Sequence, residues 1–261
     1  MKLFAQEFRM NFRTTLVWAL CVGGMCLGCL ALYGSLEESM GEMSDMFAQL
    51  GVFSEALGMD KVGIGTLEGY YAVEISILFS LGGALFAAML GAGLVAKEEE
   101  GRTTEFLNVL PLSRGRILGE KYAGLITLLL FFHIICIVLI LAGFLVVGKM
   151  PEGAYFARYH AMVFFMCLET GTICFGLSAA AAKKPVGAAV GLACVFYMMD
   201  LMCRVVPDLE KLKYITPFYY ANAADIFAGE DFPAAAFGIG AAALVFALCL
   251  SFGVYRKKDL A

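Results

Sequence analysis

Six runs of about twenty apolar residues, at roughly 16–35, 73–95, 120–147, 161–182, 186–204 and 233–255, leave this chain few ways to fold. Each is long enough to cross a hydrocarbon core roughly 30 Å thick. No water is available there to satisfy backbone N–H and C=O groups. A continuous run must close its own hydrogen bonds, and it does so as a helix rather than a strand. Composition agrees: 61% of the 261 residues are hydrophobic and 16% are charged, where a soluble domain carries about a quarter charged residues. The sequence therefore predicts an all-α integral membrane protein, one transmembrane domain over 1–261 with six membrane-spanning helices.

Charges or helix-start signals bound every run. Arg13 and Glu37 bracket the first, Glu74 and Lys97 the second, Lys121 and Lys149 the third, and His160 and Lys183 the fourth. Lys184-Pro185 opens the fifth, with proline where a missing N–H costs nothing, and Asp231 and Arg256 bracket the sixth. Lys and Arg number 13 on the side that holds both termini, residues 96–121 and the Lys183-Lys184 turn, against 6 on the other. The positive-inside bias then puts both termini and 96–121 in the cytoplasm of a membrane that the chain crosses several times.

The first span is expected to stay in the mature chain, because no small-residue cleavage site follows it convincingly. Residues 1–14 read as an interfacial helix: Phe4, Phe8 and Phe12 recur every fourth position, with Lys2, Gln6, Arg9 and Arg13 on the opposite side. In the acidic loop 36–71, Met43, Met46, Phe47 and Leu50 sit at helical spacing and predict an amphipathic helix resting on the outer surface or on neighbouring spans. The nine cysteines all fall in apolar runs, so no disulfide framework is expected. The Cys26-x-x-Cys29 pair reads as apolar filler, because His133 and His160 do not obviously converge on it as a soft-metal site would need.

The polar stretch 96–121 is the part built to meet something outside the lipid. Glu98, Glu99 and Glu100 end the second span, and Gly101 is expected to permit a sharp change of direction. Residues 103–110 predict a short helix with Phe106, Leu107 and Leu110 on one side, which Pro111 stops. Ser113 is placed to N-cap the third span. The stretch holds five acidic and five basic residues, so it is not a polybasic patch for lipid or nucleic acid.

The segment EEEGRTTEFLNVLPLSRGRILGEK at 98–121 resembles the coupling-helix region of permeases of the type-2 ABC exporter family. The shared order is an acid cluster, Gly, Thr-x-Glu, an apolar pair, Pro, Ser-Arg, and Lys at the start of the next span. ITPFYYANAADIFAGEDF at 215–232 is similar to the family's segment between the fifth and sixth spans, and YRKKDLA at 255–261 to its basic ending followed by Asp-Leu. The resemblance implies a permease that works as a dimer, with a second copy or a paralogue, beside two cytosolic ATPase subunits. It implies that Glu98, Glu99, Glu100, Gly101, Arg102, Thr103, Glu105, Phe106, Leu107 and Pro111 couple the spans to that ATPase. ATP and Mg would bind the ATPase, leaving this chain non-catalytic and without a cofactor of its own. In keeping with that, the chain holds no G-x-x-x-x-G-K-[ST] phosphate cradle.

Within the spans, Glu169 lies near mid-membrane, where a carboxylate must be paired, protonated or facing water. A hydrogen bond to a neighbouring span and a place on a translocation path are both open to it. Asp200 and Arg204 are spaced for an intrahelical pair. Gly187 and Gly191, and the Gly83, Ala87, Gly91 series, let helices approach closely, by default within the subunit and otherwise at a subunit seam. Two other classes of function lack support. A membrane enzyme needs converging catalytic groups at one depth. An ion-coupled transporter usually carries internal repeats with broken helices. A sensing or immunity subunit of an ABC-type complex shares all these features. Substrate identity is not encoded in any motif.

Overall fold

The computed structural model describes residues 2–48, 50–103 and 112–258. Among the described residues six helices are long and apolar enough to cross a membrane, and they coincide with the six apolar runs. In chain order the helices are α1 (Lys2–Ala48), α2 (Val52–Leu57), α3 (Leu67–Leu94), α4 (Ala96–Glu100), α5 (Arg114–Val147), α6 (Gly153–Ala180), α7 (Val186–Val205), α8 (Ala223–Phe227) and α9 (Ala234–Lys257). The expected coupling helix at 103–110 falls almost wholly outside the described residues, as do Glu105, Phe106, Leu107 and Pro111.

The N-terminal segment differs from the sequence expectation. No break sets 2–14 apart as a helix of its own; α1 runs unbroken for 47 residues, about 70 Å at 1.5 Å per residue. No Gly or Pro precedes Gly23 to offer a break. The first turns are held along α5 instead: Phe8 and Phe12 pack on Phe131, and Glu7 points into the protein. The two helices stay in contact along their length, with Gly23 against Leu139 and Gly143 against Leu30.

α3 and α6 form the buried centre. They cross so closely that a Cβ on Gly91 would fall 2.3 Å from the Gly171 carbonyl oxygen, and one on Gly83 3.0 Å from the Cys167 sulfur. The Gly83, Ala87, Gly91 series therefore packs within the subunit. Gly187 and Gly191 do not: nothing lies within 4 Å of either Cβ position, and both face outward on α7. α9 is the least buried span.

The connector between α7 and α9 folds back into the bundle. Phe218, Tyr220, Ala221, Ala223, Ile226 and Phe227 are buried, and Asn222 caps α8 by accepting from the Asp225 N–H at 3.2 Å. The helix expected around 43–50 is the end of α1 itself, which runs on to Ala48; the side chains of Met43 and Phe47 lie outside the described residues, while Met46 and Leu50 are exposed.

Candidate functional site: the charged foot of the elbow

The end of the bundle that holds both termini is built around ions. The break between α3 and α4 leaves two backbone donors without helical acceptors, and a buried hydroxyl from α6 takes both. Ser178 Oγ accepts from Val95 N at 3.1 Å and Ala96 N at 2.9 Å, and donates to the Ala92 carbonyl at 2.7 Å. α4 then carries Lys97 and the three glutamates.

Each glutamate grips a different element. Glu98 accepts from Lys121 of α5 at 2.8 Å, Glu99 pairs with Lys258 after α9 at 2.6 Å, and Glu100 pairs with Lys184 of the α6–α7 turn at 3.5 Å. Lys121 is fully buried. Its three donors are all used, on Glu7 Oε1 at 2.6 Å, Glu98 Oε1 at 2.8 Å and the Leu94 carbonyl at 2.8 Å. Lys97 holds the other oxygen of Glu7. Two carboxylates and two ammonium groups thus close a balanced cluster that joins α1, α4 and α5. Burying such a cluster adds little net stability, because desolvation offsets the attraction; what it fixes is geometry. Burial, reinforced by the charge of Lys121, holds the Lys97 amine below its usual value although Glu7 pulls the other way. At Glu98 burial pushes the carboxyl up, but Lys121 and the hydrogen bonds from Lys121 and Thr103 outweigh it, and the group sits below its ordinary value.

α4 ends in a Schellman cap. Thr103 N donates to the Glu98 carbonyl at 2.8 Å and Arg102 N to the Glu99 carbonyl at 3.1 Å. The left-handed residue is Arg102, at φ 54. Gly101 keeps φ −83 and ψ 0, so the expectation that glycine makes the change of direction is corrected: arginine makes it, at a position glycine usually takes. Thr103 Oγ1 donates to Glu98 at 2.6 Å. Ser113 caps α5 as its position predicts, accepting from Arg116 N at 3.3 Å.

A sequence profile described as "ABC-2 family transporter protein" matches residues 1–260. The chain belongs to the ABC-2 transporter family. It is thus a membrane-spanning permease subunit of an ABC transporter, from a family of generally non-catalytic subunits whose general partner is an ABC ATPase. No curated protein matches it.

At the opposite end of this ABC-2 permease a second ion chain closes the bundle. Arg204 pairs with Asp200 at 3.1 Å, as their spacing predicts, and also with Asp225 of α8 at 2.9 Å. Lys61, in the loop after α2, bridges Asp225 at 2.8 Å and Glu230 at 2.7 Å. Deeper in, Tyr220 donates to Glu169 at 2.7 Å. A Cβ on Gly240 of α9 would fall 2.6 Å from the same carboxylate oxygen, so a side chain there would have to displace the carboxylate. Among the described residues, no group of three His, Cys, Asp or Glu converges as metal ligands.

The permease uses residues that sequence reasoning did not single out. Glu7 is the only acid before Glu37; a lone carboxylate in a basic, aromatic segment was the available signal. Lys97 and Lys121 read as topology markers and are instead cluster cations. Ser178, Lys258, Tyr220 and Asp225 carried no local signal, because their side-chain partners on other elements are 21 to 164 positions away.

Proposed function

We propose that this permease exports its substrate across a bacterial plasma membrane, with both termini cytoplasmic, driven by a separate ATPase subunit that binds ATP and Mg and grips the elbow at 98–111. The observation that carries the reading is the splayed acid triplet. Because Glu98, Glu99 and Glu100 hold α5, the C-terminal tail and the α6–α7 turn, and Lys121 relays Glu98 to Glu7 on α1, displacement of the elbow moves four elements at once. On this reading the glutamates transmit force, while Arg102, Thr103, Glu105, Phe106, Leu107 and Pro111 meet the ATPase. The outward, uncovered Gly187 and Gly191 face of α7 supports a seam with a second permease copy or a paralogue. Glu169, bonded to Tyr220, anchors the connector rather than lining a substrate path.

The test is co-purification and labelling. A Glu100→Ala, Gly101→Pro double variant should insert normally yet lose its ATPase; a full ATPase complement would refute the elbow assignment. A membrane-impermeant maleimide applied to intact cells should leave Thr104→Cys unlabelled until the membrane is opened, and labelling from outside would reverse the orientation.

A further inference from the structure

The acid cluster that dominates the elbow in sequence is spent inside the chain. Glu98 and Glu99 are half-buried and paired, and the more exposed Glu100 is held by Lys184. Among the described residues, the exposed cations around the foot include Arg102, Lys183, Arg256 and Lys257, and no described carboxylate pairs with any of them. Lys183 and Lys257 each adjoin a lysine that ties down one of the glutamates, so they surround the point from which the elbow leaves.

Arg102 stands apart within this ring. It occupies the left-handed region, where a side chain costs energy that glycine would not. Glycine stands one position earlier, in an ordinary conformation. Strained conformations persist where surrounding structure and use demand them. Here the Schellman bonds fix the backbone, and the arginine side chain is left exposed at the tip of the foot.

We propose that the surface presented to the partner at the foot of the elbow is basic, centred on Arg102, and that it docks into an acidic cleft of the ATPase subunit. This rests on the function proposed above and gives the docking site its chemistry. Of the acids described in 96–121, Glu98 and Glu99 turn inward, Glu100 is held by Lys184 and Glu120 by Arg116, which leaves Arg102 as the exposed charge at the end of α4 that no described carboxylate pairs with. Charge complementarity of this kind sets association rate and salt dependence.

Full-length permease in nanodiscs of neutral phosphatidylcholine, titrated with the ABC ATPase that co-purifies with it, tests the proposal. Arg102→Glu should weaken binding about tenfold or more, Lys183→Glu less, and Arg102→Lys by no more than about threefold. Raising salt should weaken the wild type more than Arg102→Glu. Arg102→Gly should melt higher than wild type yet bind the ATPase more weakly, a split that a purely structural arginine would not give. Equal ATPase affinity of Arg102→Glu and wild type overturns the acidic-cleft proposal and leaves the function standing. Charge effects that appear only in phosphatidylglycerol discs assign the ring to lipid headgroups and also overturn it. A wild-type permease that binds no ABC ATPase overturns the function itself, and the docking chemistry with it.

Discussion

Replacing Lys121 by methionine keeps the length of the side chain and removes one of four charges from the cluster at the foot. Lys121 is fully buried and makes three hydrogen bonds. After the change Glu7, 1% exposed, retains Lys97 as its one cation beside a 3.5 Å hydrogen bond from Asn11, and Glu98 retains Thr103 and its 19% access to solvent. Breaking a buried pair by deleting one partner costs about 3–5 kcal/mol. For a protein of this size each kcal/mol moves the midpoint by about 2–4 °C, so Lys121→Met should melt roughly 6–20 °C below wild type. Adding Glu7→Gln restores neutrality, leaving Lys97 with Glu98. The double variant should therefore be milder than the sum of the singles, by about 0.5–3 kcal/mol. The assay is thermal unfolding of detergent-purified permease by intrinsic fluorescence, run on all four members of the cycle. If the two changes add within about 0.5 kcal/mol, the charges do not act as a unit and the relay from Glu98 to α1 is refuted.

Two glycines on one helix should respond with opposite sign. Gly91→Ala forces α3 and α6 apart and should cost about 1–3 kcal/mol, whereas Gly93, with nothing within 4 Å, should tolerate alanine or gain up to about 1 kcal/mol; matched melting curves check this, and equal shifts contradict it. Glu98 sits below its ordinary value of 4.5 when folded, so its contribution is complete above about pH 4.5 and is lost as pH falls through the lowered value. Between about pH 6 and about pH 3 the wild type should lose more of its melting temperature than Glu98→Gln, and parallel curves would count against the pairing. Glu169→Gln keeps an acceptor for Tyr220 and should export at the wild-type rate, while Tyr220→Phe should cost about 1–3 kcal/mol; export lost in a well-folded Glu169→Gln would move Glu169 to the substrate path.

The amino-acid sequence settled the number, type and approximate limits of the membrane-spanning helices, because in lipid a continuous apolar run has only one way to pair its backbone. Local chemistry was equally legible: Ser113 capping α5 and the Asp200–Arg204 pair four residues apart both act within a turn or two. Tertiary structure alone decided where charges point. The three consecutive glutamates look alike in sequence, yet about 100° of helix rotation per residue sends each to a different neighbour. Which neighbour stands there depends on how six helices assemble. The same holds for Glu7, turned inward on a helix whose pattern suggested a flat amphipathic surface, and for Arg102, which takes the left-handed position beside an available glycine. A side chain's partner across the bundle is a property of the packing, and no local pattern encodes it.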